Sequence, residues 1–375
     1  MIALASSAIA LAAAQVPPPA MIAVDPPQQY LVRWTRSPVL CAAADGSMAT
    51  AAMTQPVDPG RTLTWAGSTG LQRTLTLTFR IDDQGRPLSL RRESTGYVAD
   101  AQDVMPAFAA SRFAAGAARE RCTVTFTDSR SPLSAAPVDD VRAYSVFPSA
   151  TPTEAVWRRI RPAGATCYDP TPDVLLRAYP DFAKLPEQRG ALAWSMVGFD
   201  IERNGKPVAV RTVTGSSQPA LDAAARQAVQ RSRFVAGART GCLFPYFKAP
   251  ATLPAPIPPE EEAVRPAGAT CPSKHGWVRA PQLTYPGRYR RRSIEGWAMI
   301  AYDVAPWGET GNVRVLSAEP TGEFGDAAMA MIRNASLPPS QAGYIGCVDR
   351  VRYVMSKPGA PERIDPTPTP LPPPD

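Results

Sequence analysis

The chain has 375 residues, of which 45% are hydrophobic and 19% are charged, and its formal net charge is +7. This length is greater than one small core organises, and it favours two or three domains of roughly 100–200 residues each. The positive charge would suggest nucleic acid as the partner of a cytosolic protein, whereas in an exported protein it suggests anionic surfaces or nothing specific.

An uncharged apolar stretch at the N-terminus ends in three alanines before Gln15. We predict a signal peptide over residues 1–14, because the stretch resembles the apolar region and cleavage site of such peptides. It is shorter than the roughly 20 residues that span a bilayer, and no later segment is predicted to cross one. The alternative is that the sequence starts inside a longer signal or membrane anchor. Export would exclude nucleic acid as a partner.

The first predicted unit covers residues 30–130. Apolar residues alternate along a strand that ends at Ile81, a turn follows at 82–85, and residues 87–92 return as a second strand. The next helix, over roughly 98–112, contains Pro106, and we expect it to be broken or shortened for that reason.

The second predicted unit covers residues 160–250 and repeats this order. Residues 195–201 and 208–213 flank an Asn-Gly turn, which is typical of a β-hairpin. The next helix starts near Pro219, and its apolar positions fall on one narrow face: Leu221, Ala224, Ala225, Ala228 and Val229. A last strand is predicted over residues 242–247, which gives the order β-β-α-β.

The third predicted unit covers residues 265–357 and has the same order. It contains a dense basic cluster, Arg288, Arg290, Arg291 and Arg292, which we interpret as a solvated face, with a partner-facing patch as the alternative. A proline-rich tail, residues 358–375, is predicted to be extended and disordered. The predicted fold class is therefore α+β, with three tandem units that each form a small antiparallel sheet with one helix on a face.

The cysteines and the short sequence motifs around them support these repeats. Residues 161–167 recur letter for letter at 265–271, and such a repeat is the first feature that a fold must explain. Six cysteines permit 15 pairings in general, and the repeats select the pairings within units: Cys41 with Cys122, Cys167 with Cys242, and Cys271 with Cys347. Buried free thiols are an alternative, and a zinc site has less support because no CxxC motif occurs.

Trp194 and Trp297 occupy equivalent positions in the second and third units. Because side chains alternate along a strand, both lie on the sheet face opposite the helix. One helix covers only one face, so we expect these tryptophans to be buried against a neighbouring unit, a second copy or a partner. Both are candidate partner contacts.

Catalysis has little support in the sequence. His275 is the only histidine, and a pair with the nearby Cys271 is an alternative to the disulfide of that cysteine. Ser216 and Ser217 lie at a helix break, without the context of an activated nucleophile. No phosphate loop or dinucleotide motif occurs. We therefore predict no enzyme activity, no cofactor and no metal site.

The third unit resembles the C-terminal domain of the TonB family. The resemblance rests on six motifs in order: Tyr285-Pro286, Ile294-Glu295-Gly296-Trp297, Tyr302-Asp303-Val304, Asn312-Val313-Arg314-Val315-Leu316, Pro320-Thr321-Gly322-Glu323-Phe324 and Ala327-Ala328. The second unit is similar to a variant of this pattern, with Tyr179-Pro180, Thr214-Gly215-Ser216-Ser217 and Leu221-Asp222. The first unit is a divergent copy.

The resemblance implies a three-stranded antiparallel sheet with one helix, located in the periplasm. In TonB, this domain adds a peptide of an outer-membrane transporter as a strand to its sheet edge. The equivalent edge here consists of Val351, Arg352, Tyr353 and Val354. The predicted function is a periplasmic adaptor that binds an envelope protein or peptide, such as a TonB-dependent outer-membrane receptor. The alternative is an energy transducer of such transport, anchored in the inner membrane through an N-terminal segment that the sequence lacks.

Overall fold

The computed structural model describes residues 28–43, 45–65, 73–93, 96–273 and 275–355. The predicted signal peptide and the predicted proline-rich tail lie outside these residues. The α+β class is confirmed, with antiparallel sheets and short helices. In the described part of the chain, no helix combines the length and the apolar character needed to cross a bilayer.

The first unit contains more strands than its sequence pattern predicts. In chain order its elements are β1 (Gln29–Arg36), β2 (Val39–Ala42), β3 (Met48–Ala51), β4 (Met53–Gln55), β5 (Thr62–Trp65), β6 (Thr74–Ile81), β7 (Pro87–Arg92), α1 (Val104–Ala110), β8 (Arg112–Phe113) and β9 (Arg119–Pro132). Among the described residues the main sheet has seven strands, and β9 pairs with β6 on one side and with β1 and β2 on the other. The sheet is thus larger than the small one expected.

Helix α1 is shorter than the predicted helix, as its proline suggested. It begins at Val104, so that Pro106 lies in the first turn, where a helix has no internal acceptor for the N–H that proline lacks. All seven residues of α1 are buried, because the helix packs on its own sheet and also reaches the core of the third unit through Ala110.

Two further helices connect the first unit to the second: α2 (Val138–Val146) and α3 (Glu154–Ile160). Neither was predicted. Their apolar side chains form a separate small core with residues of the first unit: Leu31, Leu133, Ala136, Val141, Tyr144, Val156 and Ile160. Helix α2 also contacts the second sheet, at the strand Pro207–Gly215.

The second unit follows the predicted order closely. Its elements are β10 (Val174–Leu176), β11 (Ala193–Ile201), β12 (Pro207–Gly215), α4 (Pro219–Arg231), β13 (Arg233–Phe234) and β14 (Arg239–Lys248). The sheet order is β12-β11-β14. Pro219 stands in the first turn of α4, and the helix buries four of its five predicted face positions, Leu221, Ala225, Ala228 and Val229.

The third unit has the same sheet with different flanking segments. Its elements are α5 (Glu261–Val264), α6 (Gly287–Arg291), β15 (Gly296–Val304), β16 (Thr310–Glu319), α7 (Gly322–Ile332) and β17 (Tyr344–Tyr353). The sheet order is β16-β15-β17. Phe324 of α7 lies at the centre of the core, with ring centroids 4.7 Å from Tyr289 and 5.0 Å from Tyr353.

The same glycine turn follows the central strand in every unit. Gly85, Gly205 and Gly308 have φ values of 73°, 81° and 97°, which L side chains rarely adopt. Each glycine carbonyl accepts a hydrogen bond from a residue after the helix: Phe113, Phe234 and Leu337, respectively. A Cβ would lie 2.0–2.2 Å from the carbonyl oxygen of that same residue. Glycine is therefore required by close backbone approach as well as by φ.

The three predicted disulfides are confirmed. Cys41 bonds to Cys122, Cys167 to Cys242, and Cys271 to Cys347. In the second and third units, the bridge joins the segment that leads into the unit to the beginning of its last strand. Cys271 is therefore oxidised, and the alternative Cys–His catalytic pair is wrong because it requires a thiolate.

Candidate functional site

The candidate site lies at the outer edge of the third sheet, along β17. This strand pairs with β15 on one side, from Cys347 opposite Tyr302 to Tyr353 opposite Gly296, and ends the described sheet on the other. The side chains of Val351 and Tyr353 are buried, whereas Arg352 and Val354 are exposed. The candidate edge residues thus offer mainly backbone groups, together with Arg352 and Val354, to a ligand.

Equivalent positions in the three last strands can be assigned from their registers. Phe79, Phe199 and Tyr302 of the central strands pair with Cys122, Cys242 and Cys347. Three residues further along, the last strands carry Thr125, Pro245 and Arg350, which pair with Thr76, Met196 and Met299. The backbone of these three residues decides whether each edge can accept another strand.

The first of these edges is filled by the chain itself. The Ser37 N–H donates to the Thr125 carbonyl at 2.8 Å, and the Thr125 N–H donates to Ser37 Oγ at 3.0 Å. Both backbone groups of Thr125 therefore point away from β6, and the segment from β1 to β2 already satisfies them. No position remains there for an added strand.

The second edge is blocked by a proline and an arginine. Pro245 has no N–H, and its carbonyl accepts a hydrogen bond from Arg177 Nη2 at 3.2 Å, so its backbone also faces outward. The Arg177 guanidinium lies over the ring of Phe244, 4.5 Å from its centroid. Prolines and covering side chains are common devices for preventing an edge strand from pairing with another chain.

The third edge keeps its backbone groups. By the equivalence of registers, the N–H and C=O of Arg350 point outward, as those of Thr125 and Pro245 do. The beginning of β17 is covered where the Thr270 N–H donates to the Ile345 carbonyl at 2.9 Å. Further along, within the described residues, no other segment forms a backbone hydrogen bond with the outer side of residues 348–354.

One ion pair lies beside this edge. Arg350 Nη1 is 3.7 Å from Glu260 Oε2, and the Glu260 side chain is 83% exposed. Glu260 immediately precedes α5, which contacts β17. An exposed pair of this kind contributes about 0–1 kcal/mol, so it does not hold the segment firmly against the strand.

The two candidate tryptophans are covered from within the chain. The indole N–H of Trp297 donates to the Pro256 carbonyl at 2.8 Å, and this side chain is 5% exposed. Trp194 is 8% exposed and borders a cavity together with Ala143 and Phe147, which lie in and just after α2. Both tryptophans are therefore buried within the chain, which is the first of the three alternatives expected for them. This burial leaves them little exposed surface for contact with a partner.

A buried polar cluster lies under the beginning of β17. The Tyr302 hydroxyl donates to Asp349 Oδ2 at 2.6 Å, so its oxygen accepts the hydrogen bond that joins it to His275 Nε2 at 2.9 Å. Burial, the largest single influence, lowers the pKa of His275. The hydrogen bond and the charge of Asp349 outweigh it, and the pKa is raised overall.

The remaining predicted residues have structural contacts. Ser216 Oγ accepts a hydrogen bond from the Trp194 N–H at 2.9 Å and so closes the end of β12 onto β11. The basic cluster divides: Arg290 and Arg291 are exposed, but Arg292 is 1% exposed and bonded to Asp103. The prediction of a solvated face is wrong for Arg292, because a distant carboxylate pairs with it. In the described residues, no group of three or more His, Cys, Asp or Glu side chains could hold a metal ion.

Comparison with known proteins agrees with the resemblance of the second and third units. Residues 177–242 and 281–353 match the family model described as the Gram-negative bacterial TonB protein C-terminal. The second matched segment contains the whole third sheet with α7, and the first contains β11, β12 and α4 and ends within β14. No curated protein matches the chain.

Proposed function

We propose that this chain, which belongs to the TonB C-terminal family through residues 177–242 and 281–353, is a protein-binding adaptor of the cell envelope. It takes up one extended segment of an envelope protein, which pairs with the outer side of β17. The proposed location is the periplasm, because disulfides persist in such oxidising compartments and three are formed here.

One observation carries this proposal: the three equivalent edges differ in whether they are open. At Thr125, the segment around Ser37 already forms hydrogen bonds with the outer side of β9. At Pro245, the missing N–H and the bond from Arg177 block the outer side of β14. Unpaired N–H and C=O groups along a strand are a template for another strand. Within the described residues, the edge at Arg350 is the one of these three that keeps unpaired groups, so we expect one peptide to bind to each chain.

The proposal can be tested by replacing Arg350 with proline. Arg350→Pro removes the outward N–H and copies a residue that the second sheet already carries at this position. Arg350→Ala is the matched control, because it removes the same side chain and the ion pair with Glu260 but keeps the N–H. A photoreactive residue at the exposed position Val354 would capture the bound segment in envelope preparations, and mass spectrometry would identify it.

We expect the same segment to be cross-linked to the protein with unaltered Arg350 and to Arg350→Ala. With Arg350→Pro, the yield of the cross-linked segment should fall at least tenfold. All variants should show the same unfolding midpoint, which excludes a general folding defect. Equal capture by the proline variant would refute strand addition at β17. Loss of capture with Arg350→Ala as well as with Arg350→Pro would assign the binding to the arginine side chain instead.

A further inference from the structure

A cavity of about 1040 Å³ lies where the three units meet. The first unit contributes residues around Asp58 and Arg112, the second contributes the segment 187–194 and the helix break 215–218, and the third contributes Arg292. Its volume is at the upper end of the range of small-molecule sites, about 300–1,000 Å³. The strand edge at β17 is not part of its wall.

Arginines dominate the charged groups of this wall. Five of them line the cavity, Arg61, Arg86, Arg112, Arg189 and Arg292, against two carboxylates, Asp58 and Glu187. Three of the arginines are paired with a carboxylate: Arg61 with Asp140 at 2.7 Å, Arg86 with Asp82 at 2.6 Å, and Arg292 with Asp103. Asp58 pairs elsewhere, with Arg36 at 2.9 Å.

Arg112 and Arg189 are the two arginines of this wall without a carboxylate partner, and Glu187 is its one carboxylate without a basic partner among the described residues. Within the described residues, neither arginine forms an ion pair with a carboxylate. Arg112 uses Nη1 to donate to the backbone carbonyls of Ala109 and Ser111, at 3.2 and 2.7 Å. Within the described part of the chain, its Nε and Nη2 groups donate no hydrogen bond to the protein, so one side of the guanidinium group is available to a ligand.

The field at this site favours an anion. Burial and then the positive charges of Arg86 and Arg189 lower the pKa of Arg112 to about 10, against an opposing influence of Asp82. The half-buried Arg112 therefore lies close to two further guanidinium groups, that of Arg86, which is paired with Asp82, and that of Arg189, which is exposed. A ligand that brought negative charge into the cavity would relieve this repulsion.

We propose that the cavity binds a small organic anion with two or more carboxylate or phosphate groups, held by Arg112 and Arg189. The planar guanidinium group matches both kinds of oxyanion with two parallel hydrogen bonds. The volume exceeds what a single inorganic anion needs, and amide side chains, including the hydrogen-bonded pair Gln188 and Gln218, are available for the uncharged part of the ligand. This site is independent of the proposed peptide edge.

Isothermal titration calorimetry with pyrophosphate and with citrate tests the proposal on the full chain. We expect binding of at least one probe at low ionic strength, with weakening as salt is added. Arg112→Gln and Arg189→Gln should each weaken that binding at least tenfold. Arg203→Gln is the matched control, since it removes an equal charge from an exposed turn, and it should change the affinity less than twofold.

The relative affinity of the two probes assigns the ligand to phosphates or to carboxylates. Absence of heat with both probes at millimolar concentration would overturn the proposal, as would equal weakening by Arg203→Gln, which would indicate general attraction to a basic protein. If Arg112→Gln lowers the unfolding midpoint, Arg112→Lys should be tested in its place. It keeps the positive charge but lacks the planar guanidinium group, and its affinity for the probe should still be lower. Arg350→Pro should bind the probe normally, which separates this site from β17.

Discussion

His275 is the residue whose environment has the clearest consequence for stability. It is the only histidine in the chain, and its side chain is 10% exposed beside Asp349, with Nε2 and Oδ2 3.5 Å apart. Histidine is the only side chain whose ordinary pKa lies between pH 5 and 8. Titration in this range therefore reports on a single site next to the proposed edge strand.

We predict that the third unit is more stable at pH 6 than at pH 8. Burial lowers the pKa of His275, but Asp349 and weaker contributions from Pro272 and Glu261 raise it overall. A histidine with a raised pKa in the folded state contributes stability that is complete below its unfolded pKa of about 6.5 and is lost as pH rises through the folded value. Unfolding midpoints measured between pH 6 and 8 should fall accordingly.

Because His275 is the only histidine, its pKa can be measured directly by NMR titration. Its proton resonance should titrate above about 6.5, the ordinary value, and Asp349→Asn should move the pKa below that value, because burial then dominates. His275→Gln should flatten the dependence of the midpoint on pH. A pKa that does not respond to Asp349→Asn would contradict the assignment of the cause.

The last strands of the three units differ in how their outer edges are covered. Strand β9 is closed by pairing with β1 and β2, and β14 is closed by Pro245 and Arg177. Within the described residues, the outer side of β17 beyond Ile345 has no backbone partner. The first edge is closed by an added segment of chain and the second by two residues, Pro245 and Arg177, whereas the central strands and the glycine turns remain the same. On the proposed function, the capacity to bind a peptide is set at the edge, while the shared framework maintains the fold.

This comparison predicts that the second edge can be opened. Pro245→Ala restores an outward N–H, and Arg177→Ala frees the carbonyl that Arg177 now covers. If β17 binds a peptide by strand addition, the double variant should bind a second copy of that peptide, and calorimetry should show the stoichiometry rising from one toward two. Arg177→Ala alone is the control and should leave it at one, because Pro245 still lacks the donor.

A stoichiometry of one in a double variant with intact disulfides would contradict the proposed role of these two residues. Arg177 also lies over Phe244, so an unfolding measurement should accompany the titration. A lowered midpoint would be expected from the lost contact, whereas binding at β17, in the other sheet, should be unchanged.

The sequence predicted the elements that carry a strong local pattern. Clear periodicity with turns at the ends is found in strands β11, β12, β15 and β16 and in helices α4 and α7. The disulfide pairing was predicted from the repeated sequence motifs around the cysteines. The strands β1 and β2 were missed, because their partner is β9, 88 residues beyond Ser37 at the Thr125 contact, and such pairing has no local signature. The candidate edge was predicted from the family resemblance, but its openness depends on what covers each strand.

At the scale of the whole molecule, the first and third units are joined by buried polar contacts. Glu319 at the end of β16 is 5% exposed and accepts hydrogen bonds from Arg80 Nη2 at 2.9 Å and from Ser89 Oγ at 2.6 Å. The Leu90 N–H donates to the Pro320 carbonyl at 3.0 Å. These bonds attach β7 to the turn before α7, so the edge of β7 is also covered by the chain.

Arg292 joins all three units. Its Nε is 2.8 Å from Asp103 Oδ1, just before α1, and its Nη1 and Nη2 donate to the carbonyls of Gly190 and Asp58. No local pattern in the sequence predicts this, since Asp103 lies 189 residues away. A buried charge that is bonded to one carboxylate and two carbonyls fixes the relative position of the segments that supply them.

We predict that Asp103→Ala lowers the free energy of unfolding by about 3–5 kcal/mol, because it leaves the buried Arg292 charge unpaired. Adding Arg292→Met should recover much of this loss, since replacing both members of a buried pair by apolar groups is often nearly neutral. Denaturant titration followed by tryptophan fluorescence measures both effects. The recovery distinguishes an unpaired charge from a loss of packing.

The matched control is Glu323→Ala. Glu323 also joins the third unit to the first, through Arg92 at 3.4 Å, but both side chains are about one-third exposed, and such pairs contribute about 0–1 kcal/mol. If Asp103→Ala were no more destabilising than Glu323→Ala, the buried pair would not be what holds the units together. A loss of unfolding free energy in the Asp103 variant alone would instead show that one ion pair stabilises the junction of the three units, beside the cavity.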